Sequence, residues 1–353
     1  MARLLLLERR TGRNIGAISS ISPSWAVPGG RVTIAGSDFR LDARLTRLPG
    51  VRIGPHDARV VFARPTELVV VVPPEVEGGR MPVRLDDVAG TTVLLDVAVP
   101  LATGLHLVDS PVFDAEGNLF VTFSGTRGQQ APVSIFKVTP GGIREPFATG
   151  ILNPTSLAID PAGRLYVSSR FEGSVYRVNE TGAAEPFATD LGVACGLAFD
   201  PQGQLYVGDR SGSIFRVAPD GSAAIFASLP PSVAAFHLAY GPDQSLYVTG
   251  PTLAPRDALY RVGLTGQVDV VWSGFGRPQG LAFDASGALY VVEALAGSSG
   301  LYRLRRGSDD RLSEPELVVA SSSLIGVAID PAGGLVVASA DTVYRLDVPV
   351  RGR

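Results

Sequence analysis

The chain of 353 residues contains a single cysteine, Cys195, together with only 3 histidines and 2 tryptophans. One cysteine excludes an intrachain disulfide and excludes the cysteine clusters that hold structural zinc. Charged residues are also scarce, at 18%, whereas hydrophobic residues make up 45% of the chain. This balance argues against a disordered or coiled-coil protein and leaves enough apolar side chains for a folded core.

Neither sign of charge dominates, because 31 basic and 34 acidic residues give a formal net charge of -3. The sequence therefore predicts no nucleic-acid partner, which would need a basic surface. The N-terminal apolar run, Leu4 to Leu7, is shorter than the roughly 7 to 15 residues of a signal-peptide core. No apolar run reaches the ~18 residues of a membrane span, so we expect no membrane partner. As written, the sequence predicts a cytoplasmic protein, or a periplasmic or secreted one if the start codon is misassigned.

Glycine and proline are abundant, with 41 and 27 residues and no short period, which favours tight turns between short strands. From about residue 105 the chain also repeats one pattern six times: a strand ending in Ala and an aromatic or β-branched residue, a turn, and a Leu-Tyr-Val-like strand. The spacing between copies, 40 to 46 residues, is typical of four-stranded propeller blades. The turns of the six copies are anchored at Asp114, Asp160, Asp200, Gly241, Asp284 and Asp330.

Side-chain size within the repeat also indicates a propeller. Blades converge on an axis, so their innermost strands have room only for small residues, whereas aromatic residues fill the wider space between blades. The last copy ends after its third strand, and the segment 97–104 resembles the missing fourth strand. We therefore predict a six-bladed β-propeller over residues 100–348, with its ring closed by about 97–104 and a tail at 349–353. The small residues are Ala158, Ala198, Ala239, Ala282 and Ala328.

Residues 18–99 lack this period. Their short strands, separated by Gly/Pro turns, predict a small immunoglobulin-like β-sandwich after an N-terminal tail at 1–17. The expected fold class is thus all-β: a six-bladed β-propeller with an N-terminal immunoglobulin-like β-sandwich.

Two motifs resemble known families. Gly-Leu-Ala-Phe-Asp-Pro-x-Gly-x-Leu-Tyr-Val at 196–207 resembles the NHL-type repeat and, more loosely, the SMP-30/gluconolactonase/strictosidine-synthase group of six-bladed propellers. Gly-Gly-x-Val-Thr-Ile-x-Gly-x-x-Phe at 29–39 resembles an IPT/TIG domain. The second resemblance implies a module that binds or spaces partners, whereas the first specifies an architecture and says little about activity.

Positions that differ between copies are the better candidates for a functional site, since positions that recur belong to the scaffold. One set lies five residues before each anchor: Asp109, Thr155, Cys195, Phe236, Gln279 and Ile325. A second set lies nine residues after each anchor: Phe123, Ser169, Asp209, Gly250, Glu293 and Ser339. If both sets lie at one mouth of the channel, they predict a polar ligand-binding pocket. Its expected residues are Asp109, Asn153, Cys195, Asp209, His237, Gln279 and Glu293.

The leading hypothesis is a non-catalytic binding or scaffold protein whose channel mouth takes a protein, a peptide or a small polar ligand. The alternative is a metal-dependent hydrolase acting on a lactone or ester, because the SMP-30/gluconolactonase resemblance implies a divalent cation, commonly calcium. Asp109-Ser110-Pro111 resembles the Glu-Gly-Pro element of that group, but later ligand positions hold Cys195 and Phe236, which suit calcium poorly. The remaining metal candidates are Asp109, Asp209 and Glu293, with His237 and Glu293 as the catalytic candidates.

Several residues keep two interpretations. Cys195 is either a packing residue or a nucleophile, and His237 either a hydrogen-bonded channel residue or a general base. If the protein only binds, Glu293→Gln is expected to change neither activity nor stability. Three arginines that follow second strands either meet an anionic ligand at the mouth or form a solvated rim: Arg127, Arg170 and Arg210.

Overall fold

A computed structural model describes residues 17–39, 41, 48–86, 92–106, 109–295 and 297–352. The predicted N-terminal tail lies almost wholly outside these ranges. Within them every element of regular structure is a β-strand, as the sequence predicted. None of the described residues belongs to a helix of the length and hydropathy needed to cross a membrane.

The N-terminal domain contains eight strands. They are β1 (Ala17–Ser22), β2 (Trp25–Ala26), β3 (Arg31–Ser37), β4 (Val51–Ile53), β5 (His56–Arg64), β6 (Glu67–Val71), β7 (Gly79–Leu85) and β8 (Val93–Val97). Successive side chains of a strand point to opposite faces, and alternate residues of β3 and β6 are accordingly buried. Ile34 and Leu68 lie fully buried in the core with Leu95 of β8.

The remaining strands form six repeat units. Unit 1 contains β10 (Val112–Phe113), β11 (Leu119–Thr122), β12 (Ile135–Val138) and β13 (Arg144–Ala148). Unit 2 contains β14 (Pro154–Ile159), β15 (Leu165–Ser169), β16 (Ser174–Val178) and β17 (Ala184–Ala188). Unit 3 contains β18 (Ala194–Phe199), β19 (Leu205–Asp209), β20 (Ser213–Val217) and β21 (Ala223–Ser228).

Unit 4 contains β22 (His237–Tyr240), β23 (Leu246–Thr249), β24 (Asp257–Val262) and β25 (Val268–Phe275). Unit 5 contains β26 (Pro278–Phe283), β27 (Leu289–Glu293), β28 (Gly300–Leu304) and β29 (Glu316–Ala320). Unit 6 contains β30 (Gly326–Ile329), β31 (Leu335–Ala338), β32 (Val343–Leu346) and, from upstream in the chain, β9 (Val99–Ala102), which pairs antiparallel with β32. The innermost strands are neighbours around a ring in which β30 lies beside β10.

The expectation of six blades needs a correction. Five units are separate four-stranded sheets, whereas unit 5 is continuous with the N-terminal domain in one sheet of 12 strands. The physical cause is β2, which pairs in parallel with β8 on one side and with β29 on the other. The structure therefore has five separate blades, and the outer edge of unit 5 is covered by the N-terminal domain.

Two recurring devices stabilise the units. The first aspartate of each Asp-x-x-Gly turn caps its own turn: Asp200 Oδ1, for example, accepts hydrogen bonds from the backbone N–H groups of Gln202 and Gln204, each at 2.9 Å. Aromatic side chains fill the space between units, as the ring of Tyr166 does against Phe187 and Phe199 at centroid distances of 5.2 and 5.0 Å. The scaffold positions identified from the repeat thus have structural roles.

The contact between the N-terminal domain and unit 5 leaves no room for an added side chain at Gly30. A Cβ atom there would lie 2.4 Å from the carbonyl oxygen of Ala320, the last residue of β29. Val27 N–H also donates a hydrogen bond to this oxygen at 2.8 Å. Gly30 is therefore required by the close approach of two backbones.

We predict that Gly30→Ala lowers the free energy of unfolding by about 1–3 kcal/mol, because the new methyl group forces β2 and β29 apart. Denaturant unfolding measures the change. Gly141→Ala is the matched control, since a Cβ atom at Gly141 approaches only the Thr139 hydroxyl, at 3.8 Å. Equal stability of both variants would show that the two backbones can move apart at Gly30 without cost, against this prediction.

Candidate functional site

Strand register places both predicted sets of positions at one end of the ring. Pro154, at the start of β14, pairs with Ser169 at the end of β15. The same pairing recurs between Ala194 and Asp209 in unit 3 and between Pro278 and Glu293 in unit 5. The starts of the innermost strands and the ends of the second strands therefore share one mouth of the channel.

A cavity of about 260 Å³ lies at this mouth. Five of the six positions five residues before the anchors line it, and Phe236, the exception, is buried in the core between units 3 and 4. Further lining comes from residues that follow the second strands and from the loop that precedes β22. The lining residues are Asp109, Ser124, Pro154, Thr155, Arg170, Val193, Cys195, Arg210, Val233, Ala234, Ala235, Gln279 and Ile325.

Asp109, His237 and Gln279 meet at the inner side of this cavity. The Nε2 atom of His237 lies 3.1 Å from Oε1 of Gln279 and 3.2 Å from Oδ1 of Asp109. Only the contact with Gln279 has hydrogen-bond geometry, so the buried Asp109 Oδ1 has no hydrogen-bond partner among the described residues. His237 is 2% exposed and lines a second cavity, of about 320 Å³, farther along the channel. The cluster thus separates two cavities on the channel.

Burial changes the acidity of two lining residues. It raises the pKa of Asp109, an effect that the nearby charges of His237 and Arg170 oppose. Burial, reinforced by the charge of Asp109, also raises the pKa of the Cys195 thiol to about 12. Because a thiol must be deprotonated to act as a nucleophile, the structure favours the packing interpretation of Cys195.

Asp209 and Glu293, the two acids at the ends of second strands, are not among the residues that line the cavity. Glu293 accepts hydrogen bonds from the backbone N–H groups of Gly276, Arg277 and Leu295. Asp209 accepts them from the N–H of Val193 and from Ser211. Both carboxylates satisfy backbone donors of the loops that lead into the next strands, donors that would otherwise be left unpaired.

Asn153 has a similar structural role, although the sequence placed it in the pocket. It lies in the left-handed region, with φ of 44°, which asparagine tolerates better than most residues. Its amide Nδ2 donates to the carbonyl oxygens of Gly125 and Thr126 at 2.8 and 3.1 Å, and its Oδ1 accepts from the N–H of Gly128 at 2.7 Å. Asn153 therefore fixes the rim loop of unit 1 and has no free group for a ligand.

The expected metal ligands are not brought together. No group of three or more His, Cys, Asp or Glu side chains that could hold a metal ion occurs within the part of the chain that the structure describes. Calcium takes 6 to 8 oxygen ligands, whereas Asp109 is the only acid among the described residues that lines the cavity, and Asp209 and Glu293 are bound to backbone N–H groups. The residues present do not fit the calcium site that the gluconolactonase resemblance implies.

Two arginines have a larger part in the site than their sequence positions indicated. Arg170 and Arg210 each follow the last residue of a second strand, and both line the cavity. Arg127, which the sequence grouped with them, is exposed and does not line it. The apolar loop residues Val233 to Ala235 were missed, because the two sets of positions taken from the repeat do not include them.

Comparison with known proteins supports both halves of the fold. Residues 17–95 match the IPT/TIG domain family, and residues 196–217 match the N-terminal part of the strictosidine synthase-like family. A search of curated proteins gives no match. The chain is therefore a propeller protein with an N-terminal immunoglobulin-like domain.

Solved structures with the same fold belong to proteins that are described with different functions. An auxiliary nutrient binding protein from Bacteroides thetaiotaomicron VPI-5482 is 13% identical, with a TM-score of 0.54, and the match covers 95% of this chain and 98% of that one. A candidate gluconolactonase is 19% identical, with a TM-score of 0.56 and coverage of 72% and 93%. Regucalcin, a calcium-binding protein from Agrobacterium tumefaciens, is 20% identical, with a TM-score of 0.55 and coverage of 72% and 94%. At these identities the likeness shows the fold alone.

The hydrogen bonds of Glu293 lead to a prediction opposite to that from sequence. Glu293→Gln should lower the free energy of unfolding by about 1–3 kcal/mol, because the amide replaces one acceptor oxygen with an NH2 group, which faces backbone N–H groups that also donate. Denaturant unfolding of chelator-treated protein measures this loss, which calcium should not alter. The matched control is Glu314→Gln, at an exposed position. A loss of stability that appears only with calcium would instead identify Glu293 as a metal ligand.

The raised pKa of Asp109 predicts a pH dependence of stability. A carboxyl whose pKa is higher in the folded than in the unfolded protein destabilises the fold as pH rises from its ordinary pKa to its raised one. Relative to wild type, Asp109→Asn should therefore gain stability as pH rises through this window. The gain is about 1.4 kcal/mol for each unit by which the folded pKa exceeds the unfolded one.

Unfolding of wild type and Asp109→Asn at pH 4 and pH 7 checks this prediction. Asp57→Asn, at an exposed position of β5, is the control and should change equally little at both pH values. A loss of stability by Asp109→Asn that grows toward pH 7 would mean that the contact with His237 outweighs the cost of burying the carboxylate.

Proposed function

We propose that the protein is a non-catalytic binding protein that takes a small polar ligand into the cavity at the channel mouth. The observation that carries this proposal is the lining of the cavity. It combines a buried carboxyl, an amide and two arginines with apolar walls, which is typical of a ligand site in which a few polar groups fix the orientation.

The size of the cavity favours a small ligand over a protein or peptide partner. A volume of about 260 Å³ equals roughly nine times the ~30 Å³ that a water molecule occupies in the liquid. The description of one protein of the same fold as an auxiliary nutrient binding protein is compatible with this function. The NHL-type and SMP-30 relationships, and the location in the cytoplasm, stay predictions from the sequence.

A cavity-blocking variant tests the proposal. Ligand-observed NMR with a panel of monosaccharides, amino acids and organic acids should find at least one compound that binds wild type. Ala235→Trp should abolish its binding, because the indole fills the cavity beside Ala235. Ala254→Trp, at an exposed loop position, should leave it unchanged. The proposal would be contradicted if no compound of the panel binds wild type, or if every compound that binds wild type still binds Ala235→Trp.

The alternative function, a calcium-dependent hydrolase of a lactone or ester, makes a different prediction. We expect chelator-treated protein to unfold at the same temperature with and without millimolar calcium, because two of the three acids expected to bind it, Asp209 and Glu293, accept hydrogen bonds from backbone N–H groups instead. A ligand at 100 times its dissociation constant stabilises a protein by about 2.7 kcal/mol, which raises the unfolding temperature by several degrees. Such a rise would favour the hydrolase.

A further inference from the structure

The cavity at the channel mouth has more free hydrogen-bond donors than acceptors. Among the described residues, no group accepts a hydrogen bond from the guanidinium of Arg170 or from the Nε2 of Gln279, although both side chains line the cavity. The Nε–H of Arg210 donates to the carbonyl oxygen of Ser232 at 3.2 Å, and its two terminal nitrogens have no hydrogen-bond partner among the residues that the structure describes. The hydroxyl of Thr155 already donates to the carbonyl oxygen of Asn153.

The charges of the cavity are also unbalanced. Arg170 and Arg210 carry two positive charges, and Asp109 is the only acidic residue of the lining within the described part of the chain. Asp109 also has His237 beside it, at 3.2 Å on the inner side of the cavity. The lining as a whole therefore favours an anion, and one negative charge on a ligand would offset the excess.

We propose that the cavity binds the carboxylate group of a small, singly charged organic acid through Arg170 and Arg210. This inference rests on the proposed binding function and names the class of its ligand. The planar guanidinium group offers two parallel donors that match the two oxygens of a carboxylate. The organic part of the acid would lie against the apolar walls formed by Val193, Val233, Ala235 and Ile325.

Two other ligand classes fit the cavity less well. A cation would meet two arginines and only one acid. A doubly charged phosphate would lie close to the carboxyl of Asp109 and would leave the apolar walls without a partner. A monocarboxylate matches the charge, the free donors and the walls together.

Three molecules of nearly identical shape test the role of charge: benzoate, benzamide and benzamidine, which are anionic, neutral and cationic at pH 7. Each has nine non-hydrogen atoms, a size that suits the cavity. Ligand-observed NMR titration should show benzoate binding at least about tenfold more tightly than the other two, because a hydrogen bond between charged groups is the stronger kind. Inorganic phosphate should not compete with benzoate.

The arginine that makes the contact is tested by Arg170→Gln, which should weaken benzoate binding about tenfold or more and leave benzamide binding nearly unchanged. Arg127→Gln removes the same charge from an exposed position outside the cavity and should leave both affinities unchanged. Equal thermal unfolding of the two variants would confirm that Arg170→Gln acts on binding and not on folding.

The outcomes separate the two proposals. If benzamide or benzamidine binds as tightly as benzoate, if phosphate displaces benzoate, or if Arg170→Gln leaves benzoate binding intact, the carboxylate inference is overturned. The same holds if benzoate fails to bind while other compounds of the panel bind in the cavity, as shown by their loss in Ala235→Trp. In each of these cases the binding function itself stands as long as Ala235→Trp abolishes the observed binding. If no compound binds in the cavity at all, both proposals fail.

Discussion

The convergence of innermost strands on one axis is the constraint on which the rest of the structure depends. It requires small residues such as Ala198 and Ala282 beside the channel and places aromatic side chains such as Tyr166 between the units. It also brings the starts of strands from distant parts of the chain together. Asp109 and Gln279, which are 170 residues apart, line one cavity because each lies just before or at the start of an innermost strand. The candidate site therefore forms because the ring brings the starts of these strands together.

Backbone hydrogen bonding determines which polar residues of this mouth remain free. Loops at this mouth carry backbone N–H and C=O groups that have no partner in a strand, and the side chains of Asp209, Glu293 and Asn153 bind groups of this kind. Leaving them unpaired would be costly, so these side chains serve the fold. Among the described residues, the side chains of Asp109 and Arg170 make no such hydrogen bonds to loop backbone groups. Charge alone thus does not distinguish a functional acid from a structural one.

The N-terminal domain is joined to the ring by strand pairing and not by a flexible linker. The short strand β2 lies between β8 and β29, and Ala26 and Ala320 are both buried in the core of that domain. Unit 5 is consequently part of a larger sheet and has no free outer edge, which is how β-proteins avoid unwanted edge pairing. The candidate site lies at the axis, so the residues of this joint do not line its cavity.

The sequence by itself determined the all-β class, the repeat of strands and turns, the immunoglobulin-like character of the first domain and the mouth at which variable positions gather. These features are local or periodic, so they are visible in the sequence as the positions of small residues, turn aspartates and strand aromatics. Only the tertiary structure decided that five blades stand as separate sheets, because β2 pairs across domains without any signal in the repeat. Only it could separate Asp109 from Asp209 and Glu293, because the direction of a side chain and its backbone partners depend on contacts between residues far apart in sequence.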